Sequence, residues 1–159
     1  MIYNDLIDDI KSADYVLFGL GKEIYSSDDT EIYDNLKKLF ASMEHVNYFI
    51  VSTDKAGTIR NCGLNERRIV CPVNENNAEE EEKQWDFYNK WLSSSLAKKL
   101  VIVELGEDFS NPNVIRLALL FLFIQRIKHI TKIIILLFII SQNSYLPSNQ
   151  NILKYYHKY

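Results

Sequence analysis

Three apolar runs, each stopping at small or polar residues and preceded by a helical pattern, constrain this chain more than any other feature. They are Tyr15-Val-Leu-Phe-Gly-Leu20, Tyr48-Phe-Ile-Val51 and Leu100-Val-Ile-Val-Glu-Leu105. Short continuous runs of this kind are strands covered on both faces, the situation that parallel sheets create. Ahead of the first run, Ile2, Leu6, Ile7 and Ile10 recur at helical spacing. Ahead of the second come Ile32, Leu36, Leu39, Phe40 and Met43, and ahead of the third Trp85, Tyr88, Leu92 and Leu96. The Ser-Ser-Asp-Asp-Thr stretch at 26–30 supplies N-cap residues for the middle helix. Helices alternating with strands predict an α/β fold, a Rossmann-like parallel sheet with helices on both faces.

In such sheets ligands bind beyond the carboxyl ends of the strands. Three turns stand there: Gly19-Leu-Gly21, Ser52-Thr53-Asp54 and Gly106-Glu107-Asp108. Glycine lets a phosphate approach the backbone, and small hydroxyls or carboxylates grip a ribose. The candidate nucleotide-binding residues are therefore Gly19, Gly21, Ser52, Thr53, Asp54 and Gly106. Each turn also has a purely structural reading: Gly19-Leu-Gly21-Lys-Glu-Ile24 lacks the last glycine of a G-x-G-x-x-G loop, and Ser52 to Asp54 suit a strand-capping turn.

Residues 47–69, which include Tyr-Phe-Ile-Val-Ser-Thr-Asp-Lys-Ala-Gly and end in Arg-Arg-Ile, resemble the sirtuin segment in which a strand runs into a T-x-N-x-D-type motif, then A-G-x and R-I. Residues 100–116 resemble the E-L-G-x-G-F-N-T-P-x-x-I-R stretch of a bacterial branch of that family. The resemblance covers most of residues 13–116. It implies an NAD pocket, with Gly19 and Gly21 toward the pyrophosphate, Ser52 to Asp54 on the nicotinamide ribose side and Gly106 by the adenosine ribose. The departures count against deacylation. Leu20 fills the alanine position of the phosphate loop, and Lys22 and Glu23 follow Gly21 where the loop's serine is lacking. Asp54 stands for asparagine and Ala56 for aspartate, and Val70 to Asn74 carry no base histidine. His45, His129 and His157 lie elsewhere. The zinc module is absent: in its place is the acidic stretch Asn74 to Gln84, read as a solvated linker entering the Trp85 helix, with a metal or basic-partner contact as the other reading.

Composition narrows the rest. At 47% hydrophobic and 25% charged the chain is of globular type. A net charge of -3 gives no positive field to draw nucleic acid. Cys62 and Cys71 are too few for a disulfide framework, and they form no CxxC pair for a structural zinc. The opening Met1-Ile2-Tyr3-Asn4-Asp5 has no basic leader or apolar core, so a cytoplasmic protein is expected.

The acids and glycines all lie at or before residue 108, which marks a seam between a sirtuin-like core, residues 1–116, and an apolar basic tail, residues 117–159. The tail reads either as a last helix, Leu117 to Ile127, and strand, Ile133 to Ile140, or as an out-of-frame extension. Joining its apolar runs into one membrane span would bury Arg126, Lys128 and Lys132, so no membrane insertion is expected. The functional expectation is a catalytically inactive domain that binds NAD or ADP-ribose, with no zinc. Three others stand beside it: an NAD-consuming enzyme (deacylase, glycohydrolase or ADP-ribosyltransferase) using Asp54, Glu107 or Asp108, a protein-interaction module built on the Trp85 to Trp91 helix, and a decayed gene product.

Overall fold

The computed structural model describes residues 2–21, 24, 31–43, 45–96, 98–106, 133–138 and 155–158; at 2–6, 31–32 and in the last two ranges it describes the backbone alone. Helix α1 (Ile2–Lys11) leads into β1 (Tyr15–Leu20), and α2 (Glu31–Ala41) leads into β2 (Asn47–Ser52). Two 3-10 turns, Thr58–Cys62 and Glu66–Arg68, precede the short strand β3 (Ile69–Val70). Helix α3 (Ala78–Ser94) then leads into β4 (Leu100–Leu105), and β5 (Ile133–Phe138) and β6 (Tyr155–Lys158) follow.

The sheet order is β3-β2-β1-β4-β5-β6. The first four strands in that order are parallel to one another, β5 continues parallel beside β4, and β6 closes the edge antiparallel. The expected α/β fold with a Rossmann-like parallel sheet is therefore present. The apolar run at 133–140 contains β5, whereas the helix expected over Leu117 to Ile127 lies outside the described residues. The strand at 155–158 had no signal strong enough to be expected.

Alternation along the strands sorts the core into two layers. Val16, Phe18 and Leu20 meet Leu36, Phe40 and Met43 on the α2 face. Leu17, Phe49 and Ile102 meet Tyr88, Trp91 and Leu92 on the α3 face. Burying one such side chain stabilises the fold by about 1.5–3 kcal/mol. Aromatic contacts order both layers: Phe18 meets Phe40 edge-on at 4.9 Å, and Phe49 lies 5.4 Å from Tyr88 and 5.6 Å from Trp91. The Trp85 to Trp91 rings are thus mainly core, while Phe87, between them in sequence, is 57% exposed.

The acidic stretch runs, as expected, into the first turn of the Trp85 helix: α3 begins at Ala78, and Glu79, Glu80 and Glu81 form that turn, where carboxylates complement the helix dipole. Glu79, Glu80 and Glu82 are exposed, but Glu81 is only 4% exposed. Its basic partner lies within the chain, as described below. Among the described residues no helix is long and apolar enough to cross a membrane.

Candidate functional site

The strand register brings described residues of the expected turns together. Leu20, the last residue of β1, pairs with Ser52 on one side and Leu105 on the other. The next residues, Gly21, Thr53 and Gly106, therefore stand in a row across three adjacent strands at the carboxyl edge. Cross-strand bonds continue the row: the Gly21 N–H donates to Leu105 O at 2.8 Å, and the Thr53 N–H donates to Leu20 O at 3.0 Å. The chain leaves β1 for β2 on one side and β4 for β5 on the other, so β1 and β4 flank the switch point of the sheet, the usual ligand crevice of this architecture. Gly19 is set back from the row, inside β1 between Val51 and Glu104.

Within the row the side chains have different fates. Gly106 has φ +66°, and a Cβ there would lie 2.8 Å from Ile24 Cγ1 and 3.0 Å from Ile24 N. Both the backbone conformation and the overlying Ile24 demand glycine. Thr53 is partly exposed, with its hydroxyl 3.3 Å from Leu20 O. Ser52 is fully buried and its Oγ accepts from the Asp54 N–H at 3.1 Å.

Asp54 is a loop brace. Its Oδ1 accepts from the Ala56 N–H at 2.9 Å, and its Oδ2 accepts from the Thr58 hydroxyl at 2.6 Å and the Ile59 N–H at 3.1 Å. These bonds hold the chain in the sharp turn that opens the Thr58–Cys62 segment and seats Ile59 in the core. At 5% exposure the carboxylate faces its own loop. Use of Asp54 on the N-glycosidic bond of NAD would require those bonds to break.

A second carboxylate braces the neighbouring segment, and sequence reasoning missed it. Arg60 Nε and Nη2 both donate to Glu81 Oε1, at 3.0 and 2.7 Å. Glu81 Oε2 accepts from the Cys71 N–H at 2.7 Å, and Asn74 Nδ2 reaches Oε1 at 3.3 Å. Asn74 also packs against Gly57, where an added Cβ would lie 2.7 Å from Asn74 Nδ2. Glu81, Asn74, Gly57 and the Asp54 loop thus form one continuous support beneath the carboxyl ends of β2 and β3. The one available signal was a helix N-terminus with four consecutive acids, of which one spare charge could meet the isolated Arg60.

No thiol here is poised as a nucleophile. Burial, then the Glu81 charge, pushes the Cys71 thiol up to about 12, and burial likewise raises Cys62. The Tyr33 hydroxyl is pushed up to about 12, first by burial and then by Cys62 and Asp54. Native protein at pH 8 is expected to give rapid labelling by a disulfide reagent at Cys62 at most. Cys71, fully buried, should react only after denaturant is added. Because the folded state holds the Cys71 and Tyr33 protons that the unfolded chain releases near pH 9 and 10, stability should be intact below pH 9. It should fall progressively from there toward pH 12 in an alkaline unfolding series.

His45 is exposed, His157 of β6 pairs with Ile135 of β5, and His129, Glu107 and Asp108 lie outside the described residues. Among the described residues no three His, Cys, Asp or Glu side chains cluster as a metal site. Comparison with family models, with characterised proteins and with solved structures finds no match.

Proposed function

We propose that this domain binds NAD or ADP-ribose at the carboxyl edge of its sheet, as a sirtuin-like nucleotide module that does not turn the ligand over. The observation that supports it is the row of Gly21, Thr53 and Gly106 across three adjacent strands, at the switch point between β1 and β4. In this reading Gly21, with Gly19 behind it, approaches the pyrophosphate. Ser52, Thr53 and Asp54 shape the nicotinamide ribose side, and Gly106 borders the adenosine ribose. Two side-chain commitments support the reading without turnover: Asp54 braces its loop and Cys71 stays protonated. The setting is a cytoplasmic protein with a small-molecule ligand and neither nucleic acid nor membrane as partner.

Calorimetric titration of the full chain with NAD and with ADP-ribose, followed by a nicotinamide-release assay on the same sample, tests this. Saturable binding without release is the expected result. Release of nicotinamide in the absence of an acyl substrate would replace it with an NAD-consuming enzyme. No heat up to about 1 mM ligand, an affinity of only about 4 kcal/mol, would overturn it.

A further inference from the structure

Away from the carboxyl edge, a pocket of about 540 Å³ opens between α3 and β2, lined by Phe49, Arg67, Arg68, Gln84, Phe87 and Trp91. Its origin is the shortness of β3. That strand begins at Ile69, opposite Ile50, so the preceding residue of β2, Phe49, has no strand partner on that side. The Glu66–Arg68 turn swings in instead and brings two guanidinium groups beside the aromatic wall.

The walls are held in place. Asn47 Oδ1 accepts from Arg68 Nη1 at 2.6 Å and from Trp91 Nε1 at 2.9 Å, which fixes the cation and the indole relative to one another. Arg68 Nε and Nη2 make no hydrogen bond among the described residues, and the Arg67 side chain makes neither hydrogen bond nor ion pair among them. Lys90, outside the pocket lining, lies 5.8 Å from the centre of the exposed Phe87 ring. Residues 1–116 carry 13 bases against 21 acids, so such a grouping of cations runs against the charge of its surroundings. Gln84 supplies the last feature: its Oε1 is shielded from solvent without a hydrogen-bond partner among the described residues. A buried acceptor left unpaired is costly. The terminal amide torsion of glutamine is broad, so a small rotation presents that oxygen to a donor in the pocket.

We infer that this pocket binds a small aromatic carboxylate that carries an N–H or O–H donor. The ring lies against Phe49, Phe87 and Trp91, the carboxylate meets Arg67 and the unpaired side of Arg68, and the donor satisfies Gln84 Oε1. The volume falls within the usual range of small-molecule sites, about 300–1,000 Å³. Guanidinium pairs are well matched to the planar geometry of a carboxylate.

The test uses 4-aminobenzoate, benzoate and 4-aminobenzamide as probes, with calorimetry and quenching of tryptophan fluorescence as readouts on the full chain. 4-Aminobenzoate should bind saturably and quench Trp91. The uncharged amide should bind at least about tenfold more weakly, and benzoate, which has no donor, several-fold more weakly. Arg67→Glu and Phe87→Ala, both at exposed positions, should each weaken 4-aminobenzoate at least about tenfold while leaving the thermal unfolding profile unchanged. Equal affinity for the acid and its amide would overturn the inference. So would full affinity in both variants, or no saturation up to about 10 mM. ADP-ribose affinity should be the same in Arg67→Glu as in the unaltered protein, so failure here and failure of the nucleotide reading are separate outcomes.

Discussion

Replacing Glu81 with alanine is expected to destabilise the domain by about 3–5 kcal/mol, the usual cost of removing one partner from a buried ion pair. Three groups lose their acceptor at once: the Arg60 guanidinium, the Cys71 N–H and the Asn74 amide. The first is the most costly, because Arg60 is only 14% exposed and its remaining contacts, to the carbonyls of Glu66 and Ile69, are long at 3.4 Å. Domains of this size hold about 5–15 kcal/mol in total, so the variant should sit close to unfolding at 37 °C. Urea denaturation with a double-mutant cycle measures the effect. Glu81→Gln, which keeps an acceptor oxygen and the volume, should lose about half as much. Arg60→Met combined with Glu81→Met should be more stable than the sum of the single changes, since it removes the stranded charge. Glu82→Ala, at an exposed neighbour, serves as the control and should fall within about 0.5 kcal/mol of the unaltered protein. A Glu81→Ala variant as stable as that control would show that the pair is not the brace described.

The contrast between Glu81 and the strands explains what the sequence made legible. Val16 to Leu20 and Leu100 to Val103 are buried on both sides by sheet and helix alike, and that environment leaves a signature in residue type that needs no knowledge of the partner. Parallel pairing, the helix faces and the carboxyl-edge turns all followed from it. Register then did the rest: once Leu20 pairs with both Ser52 and Leu105, Gly21, Thr53 and Gly106, far apart in the chain, must stand side by side. Glu81 was illegible because its neighbours Glu79, Glu80 and Glu82 are chemically identical and exposed. Only the fold distinguishes the one whose helical position faces Arg60, 21 residues earlier in the chain. The pocket beside Trp91 was hidden for a similar reason. Its shape comes from where β3 begins, and a two-residue strand has too short a pattern to place by periodicity. Asp54 was singled out as a residue of the edge because a carboxylate at a strand end looks the same in sequence whether it faces a ribose or its own loop.

The last distinction can be made by substitution. Asp54→Ala removes the acceptor of two backbone N–H groups and a hydroxyl, and one of those donors belongs to Ile59, which is fully buried. A hydrogen bond to a charged group contributes about 1.5–3 kcal/mol, and an orphaned buried N–H adds its own desolvation cost. The bonds share one carboxylate and are not additive, so the expected loss is about 3 kcal/mol, read by urea denaturation. The loop should also become protease-sensitive near Lys55, an exposed site that is otherwise held in a tight turn. Asp54→Asn keeps the shape and one good acceptor and should lose about half as much stability. Its effect on ligand affinity is the decisive readout. If Asp54 acts only as a brace, ADP-ribose binds Asp54→Asn as it binds the unaltered protein at temperatures where both are folded. If the carboxylate itself grips the ribose, affinity falls by about tenfold or more while the thermal unfolding profile moves little. The geometry favours the first outcome, because both carboxylate oxygens already accept from the residues that the loop must hold. On that reading Asp54 serves the stability of the edge rather than recognition.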